Sequence, residues 1–255
     1  MRITVPGREI ARHGRATILG LVVLGAAQGA AAAGSEASGV GYPQMAPGAA
    51  YLMPDRAAEI SLARSAAPAA ISGGATVLVL SSKGYETAAK GTNGFTCLVE
   101  RAWMSPFDSP EFWNPKLRGP VCYNPAATRS ILPITHYRTK LAQSGVPKNQ
   151  MFEEIRAAIG KKELPAPEPG AMSFMMSKDG YLSDSAGHWH SHLMFYIPGT
   201  DTSSWGANLP GSPVVVDDEH RKIPEEQITF LVPVSHWSDG SFAPAAGHPA
   251  EGGGK

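Results

Sequence analysis

The 255-residue chain has little of what usually betrays a function. It has no excess of either charge: Lys+Arg 22 and Asp+Glu 22 give a formal net charge of zero. It therefore lacks the basic footprint that nucleic acid or an anionic membrane surface requires, and no basic amphipathic helix is present. Glycine-rich phosphate loops are absent, as are G-x-S-x-G and H-E-x-x-H, which removes the most recognisable nucleotide-binding, serine-hydrolase and zinc-protease patterns. The only long apolar stretch, Ala16 to Ala27, is short of the ~20 residues that a membrane-spanning helix needs. Cysteine is down to two residues, with no C-x-x-C.

What is present begins with that apolar stretch. Arg2, Arg8, Arg12 and Arg15 precede it, and Ala31 and Ala33 follow at the spacing of an A-x-A cleavage site, so residues 1–33 read as an export signal. No Arg-Arg pair precedes the core, which favours the general secretory route. Loss of those four arginines and Glu9 leaves 18 basic against 21 acidic residues, a mildly acidic mature chain. The expected location is the periplasm or the exterior, with no stable membrane insertion after cleavage and no nucleic-acid partner. Cys97 and Cys122 would then lie in an oxidising compartment, where an even count reads most simply as a disulfide. A bridge closing the loop between them is worth roughly 3 kcal/mol. A buried thiol pair and a thiolate metal site are the competing readings, without His or Asp at ligand spacing to support the latter.

Residues 34–53 read as a flexible Pro/Gly-rich lead-in, 54–240 as a single domain and 241–255 as a disordered tail. Asp55 caps an expected helix through Ser65. Three strand-like runs, 75–80, 85–90 and 95–101, separated by Ser82-Lys83-Gly84 and Gly91-Thr92-Asn93-Gly94, predict an antiparallel meander. The aromatic segment holding Phe107, Phe112 and Trp113 must pack down, because together they would expose a large apolar patch. Asn124-Pro125 opens a helix that Pro133 interrupts, and Met151, Ile155, Ala158 and Ile159 mark an amphipathic helix ending at Gly160. Strand patterns resume at 171–177, 188–197, 214–216 and 228–232, with Trp205 anchoring the loop between the second and third of these. The sum is an α+β domain: a mostly antiparallel twisted sheet of about six strands with two or three helices on one face.

The candidate chemistry sits at His188-Trp189-His190-Ser191-His192, where three of the eight histidines alternate. On a strand these rings share one face. Neighbouring members of the set, about 6.6 Å apart along the strand, can meet one ion, whereas the outer pair at about 13 Å is at the limit. One divalent transition metal, zinc, copper or nickel, would therefore take two of the three and need a further ligand. His236 is the leading choice, with Asp239 beside it and Glu86 and Glu100 as alternatives. Such an ion would support metal-assisted hydrolysis by lowering the pKa of bound water. Two other readings stand beside it: a non-enzymatic envelope-associated binding module whose histidine face meets a small polar ligand or a partner, and plain solvent-facing polarity on a half-buried strand.

Gly187-His188-Trp189-His190-Ser191-His192 resembles the G-W-Y-H-S-H-P stretch of the JAMM/MPN metallopeptidases. Leu193 replaces the proline, Thr200 stands at the serine position and Ser203 at that of the aspartate ligand, so the resemblance does not supply a third ligand. More broadly, Asn93–Arg101, Pro110–Lys116, Pro167–Met172 and His188-Trp189-His190 resemble a group of exported bacterial proteins with no assigned activity. That resemblance implies export and a single domain.

Overall fold

The structure, a computed structural model, describes residues 41–184, 187–199, 202–216, 222–225 and 227–244. The described residues belong to one compact unit. The expected export signal at 1–33, the start of the lead-in and residues 245–255 of the tail lie outside the described residues.

Among the described residues five α-helices and seven strands make up the fold: α1 (Arg56–Arg64), α2 (Ala69–Ser72), β1 (Thr76–Ser81), β2 (Gly84–Ala89), β3 (Thr96–Glu100), β4 (Gly119–Tyr123), α3 (Pro125–Ser130), α4 (Leu132–Gln143), α5 (Lys148–Gly160), β5 (Met172–Met175), β6 (His192–Pro198) and β7 (Gln227–Pro233). The helix starts follow local chemistry. Asp55 accepts from the Ala57 amide at 2.8 Å, and Asn124 accepts from that of Ala127 at 2.9 Å with Pro125 in the first turn. Pro133 likewise sits in the first turn of α4, where it ends one helix and begins the next. In α5 the buried residues Met151, Ile155 and Ala158 are the predicted stripe.

The strands form a single α+β sheet in the order β2-β1-β3-β4-β5-β6-β7, antiparallel throughout except for β1 and β3. This corrects the predicted meander: β1 and β2 form the expected hairpin, but the chain then crosses the start of β1 and adds β3 on its other side, in parallel. The crossing is tight. A Cβ on Gly91 would lie 2.2 Å from the Thr76 nitrogen, so only glycine passes there. The Asn93 side chain fastens the loop by donating to the Ile71 carbonyl at 2.7 Å, and the Thr92 amide donates to that of Gly74 at 2.8 Å. Gly119 to Cys122 is most of strand β4. Pro120 is tolerated because β4 pairs with β5 only through Cys122 and Tyr123, leaving one side of the strand without a ladder at the proline.

Alternation assigns the faces. On one face Val77, Cys97, Val99 and Cys122 pack with Ala63, Ala66 and Ala67 of α1 and its following turn. Cys97 and Cys122 are opposite one another on β3 and β4 and form the disulfide, fully buried beneath α1. On the other face Leu98, Val121, Tyr123, Met175 and Tyr196 pack with Ala126, Ala127, Ile131 and Leu132 of α3 and α4. Helices thus cover both faces, not one as expected, because α1 and α3–α4 each carry an apolar stripe and the sheet is apolar on both sides. A further core forms where α4 and α5 meet the aromatic segment, and Phe107, Phe112 and Trp113 are buried there.

Two terminal expectations change. The described part of the lead-in is packed: Tyr51 is buried, its hydroxyl donates to the Trp113 carbonyl at 2.8 Å, and the Tyr42 amide donates to that of Pro110 at 2.9 Å. At the other end Ala243 is buried and donates its amide to the Ser235 carbonyl at 2.9 Å. Val214–Val216 makes only a single bridge, Val215 to Leu231, and is not a strand. Trp205 is exposed on one side and stacked on Phe230 with ring centroids 4.9 Å apart. No helix among the described residues is long and apolar enough to cross a membrane.

Candidate functional site

The five strands β3 to β7 and α4 enclose a cavity of about 320 Å³. Its floor follows from strand alternation: Glu100 on β3, Tyr123 on β4, Met175 on β5, His192, Met194 and Tyr196 on β6, and Gln227, Thr229 and Leu231 on β7 all lie on the α4 side of the sheet. Ile134 and Arg138 of α4 form the roof, with Ile223 and Glu225 from the segment before β7 as one wall. That wall is fastened at its start, where the Phe107 amide donates to the Lys222 carbonyl at 2.7 Å and the Lys222 amide donates to Asp108 Oδ1 at 3.2 Å. Trp189 closes the far end, buried against Gly119 and Gly180; a Cβ on Gly180 would lie 2.9 Å from the indole. The Trp189 Nε1 is buried and has no hydrogen-bond partner among the described residues.

Polar groups reach this apolar chamber at a few points. Tyr123 donates its hydroxyl to Glu100 Oε1 in a very short hydrogen bond and lies 3.1 Å from the Thr135 hydroxyl. Burial pushes the Glu100 carboxyl up to about 7, against the opposing effects of the Tyr123 hydrogen bond and the Arg138 charge. Burial also raises Tyr123 well above its ordinary value, and the neighbouring Glu100 charge adds to that, so the phenol keeps its proton and stays a donor. Tyr196 meets the Ser173 hydroxyl at 3.0 Å. The His192 Nδ1 is 2.6 Å from the His190 carbonyl, which can only accept, so this nitrogen carries a hydrogen.

The two arginines in the cavity lining are engaged within the protein. Arg138 donates through Nε and an Nη to the two oxygens of Glu225 at 2.9 and 2.8 Å, to the carbonyls of Trp103 and Ser105 at 2.9 and 3.1 Å, and stacks 4.8 Å over Phe107. Arg101 donates to Glu59 and the Tyr51 carbonyl, both at 2.7 Å, and to the Val99 carbonyl. Both pairs are almost entirely buried. Such burial is tolerated because each guanidinium pairs with a carboxylate and donates further to backbone carbonyls.

The histidine segment lies at the edge of this cavity and is built differently from the expectation. Strand β6 starts at His192, not His188. Its partner β5 leaves the sheet after Met175, where the Met176 amide turns to the Ala66 carbonyl at 2.9 Å, so residues 188–191 have no ladder on that side. The alternation then breaks: His188 and His190 are exposed, whereas His192 is buried and lines the cavity. The His188 ring sits edge-on to Trp237 at 5.7 Å. His236 is exposed beyond β7, with its Nδ1 3.0 Å from the Ser235 hydroxyl, while its backbone carbonyl accepts from Ser191 at 2.6 Å. That carbonyl contact brings the two segments together as sequence suggested, through backbone and not through imidazoles. Asp239 is held by Lys178 at 2.6 Å, and Glu86 by Arg56 at 2.6 Å. Among the described residues no group of three or more His, Cys, Asp or Glu is arranged to hold a metal ion.

Of the residues nominated by sequence, His192 and Glu100 are thus the two brought to one cavity. Tyr123, Arg138 and Glu225 complete it without having carried any motif, together with Trp189 from the histidine stretch. The one available signal was the charged pair Glu100-Arg101 directly following a buried apolar strand. No known protein family, curated protein or solved structure matches the chain.

Proposed function

We propose that this protein is an exported, disulfide-bonded binding protein whose central cavity takes a small, mostly apolar molecule. One observation carries the reading: a cavity of about 320 Å³ lined by Met104, Ile134, Met175, Trp189, Met194 and Leu231, which a few polar groups, Glu100 with its Tyr123 hydrogen bond among them, also line. Apolar walls with a few convergent polar groups are the usual make-up of small-molecule sites, and this volume is at the small end of their range. Export is supported by the basic and apolar character of residues 1–33 and by a disulfide that an oxidising compartment would preserve. Metal-assisted hydrolysis on the histidine segment needs three ligands on one ion. With His188, His190 and His236 exposed, and His188 and His236 engaged with different neighbours, a binding cavity accounts for more of the geometry.

Ligand-observed NMR with a panel of small apolar and aromatic molecules tests the cavity, using Met194→Trp to fill it. The expected result is binding by the native protein and its loss in the filled variant. Absence of binding across the panel, or binding that Met194→Trp leaves intact, overturns the reading. N-terminal sequencing of the protein recovered from its native compartment tests export, and an intact Met1 there would refute it.

A further inference from the structure

The charge balance of the cavity says what kind of molecule it would select, an inference that rests on the binding reading above. Two carboxylates and two guanidiniums line it, Glu100 and Glu225 with Arg101 and Arg138, and Glu59 pairs with Arg101 from outside the lining. Arg101 is paired with Glu59 and Arg138 with both oxygens of Glu225, and each also donates to backbone carbonyls. Glu100 is the odd member. Its hydrogen-bond partner among the described residues is the Tyr123 hydroxyl, and no lysine or arginine among them forms an ion pair with it. An anionic ligand would meet arginines whose charge is already paired and a further carboxylate that repels it. A ligand bearing N–H donors would meet an acceptor.

We propose that the cavity selects an organic cation with an apolar body and a single protonated amine, held by the Glu100 carboxylate and packed against Trp189, Met194 and Ile134. Pairing removes the cost that each charge would incur alone in such surroundings. The groups facing Glu100 are Tyr123 from β4, Arg138 from α4 with its partner Glu225, and His192 and Tyr196 from β6. The Tyr123 hydrogen bond orients the carboxylate, and the arginine charge favours its ionised form without consuming it. Since burial raises the carboxyl to about 7, amine binding strengthens as pH rises through that value, whereas a neutral ligand shows no such dependence.

The test compares matched ligands by calorimetry on the native protein: benzylamine and phenethylamine, the corresponding alcohols, and phenylacetate. The amines should bind about tenfold or more tightly than the alcohols, the usual advantage of a charge-assisted hydrogen bond, with phenylacetate weakest. In Glu100→Gln the gap should disappear while the alcohols still bind. Alcohols binding as tightly as the amines, or a gap that survives in Glu100→Gln, would overturn the inference and leave the cavity reading standing. Failure of all three ligand classes to bind would remove both. Because the amine–alcohol comparison is made in the native protein, it decides the matter even if the variant fails to fold.

Discussion

Substitution of Glu100 by glutamine should change how stability responds to pH. The carboxyl has an ordinary value of 4.5 and is raised to about 7 in the folded protein by burial. Between those values the folded chain holds a proton that the unfolded chain has released, so stability is greatest below the lower value and falls as pH rises through the upper one. Each unit of displacement is worth about 1.36 kcal/mol, so the loss completes just above pH 7 at an upper figure of ~3 kcal/mol. Partial access of Glu100 to the cavity reduces this figure. Glutamine keeps an acceptor for the Tyr123 hydroxyl and carries no charge at any pH, so the variant should match the native protein near pH 4.5 and exceed it by about 2 kcal/mol at pH 8. Other titrating groups are common to both chains and cancel in the difference. Urea unfolding of each protein at intervals from pH 4.5 to 8.5 provides the measurement. A difference that stays flat across that range, or that favours the native protein at high pH, would refute the assignment of a buried, cation-free carboxyl.

Other expectations concern the parts that hold the cavity open. Replacing both cysteines by alanine should lower stability by roughly 3 kcal/mol, from the entropy of a 25-residue loop, and an unchanged urea midpoint would contradict the bridge. Arg138→Ala leaves Glu225 buried without its cation and should cost about 3–5 kcal/mol, whereas the double replacement Arg138→Met, Glu225→Leu should cost less than the single one; equal losses would show that the pair is not coupled. Gly91→Ala should lower the melting temperature sharply, since no side-chain rotation relieves a clash with the Thr76 backbone. Protein purified without chelator should take up well under one equivalent of zinc; stoichiometric uptake that His190→Ala abolishes would restore the histidine site.

Much of the scaffold was legible because it rests on local chemistry. Asp55, Asn124-Pro125 and the Met151–Ile155–Ala158 stripe each specify a helix start or face through contacts within a few residues, and the structure has all of them. Pairing order was not legible. Nothing local distinguishes a meander from a chain that crosses β1, and the deciding contact is the approach of Gly91 to Thr76, across the sheet. The start of the histidine strand was not legible for a related reason. Alternation within 188–192 is a strand pattern only if a neighbouring strand accompanies it, and the departure of β5 after Met175 is set by the distant Ala66 carbonyl. Glu100 could be nominated as a ligand from its composition alone. Its role as a cavity acceptor depends on which arginines are already occupied, and that is a property of the packed structure.

The character of the cavity follows from this allocation of partners, and it can be reversed. Glu100 and Arg101 are adjacent, so alternation sends them to opposite sides of the sheet: Arg101 to Glu59 of α1, Glu100 to the α4 side. There the nearest cation is Arg138, already held by Glu225 through both carboxylate oxygens. Glu225→Gln removes that competing charge while keeping a hydrogen-bond acceptor of the same shape. Arg138 then interacts more strongly with Glu100, its one remaining carboxylate neighbour in the cavity lining. The Glu100 carboxyl should fall from about 7 toward its ordinary value, and the preference for amines should weaken as the site acquires its own counter-ion. Carbon-detected NMR titration of the glutamate carboxyls in native and Glu225→Gln protein measures the shift. An unmoved Glu100 titration would mean that Arg138 does not govern the site, and that the selectivity of the cavity rests on burial alone.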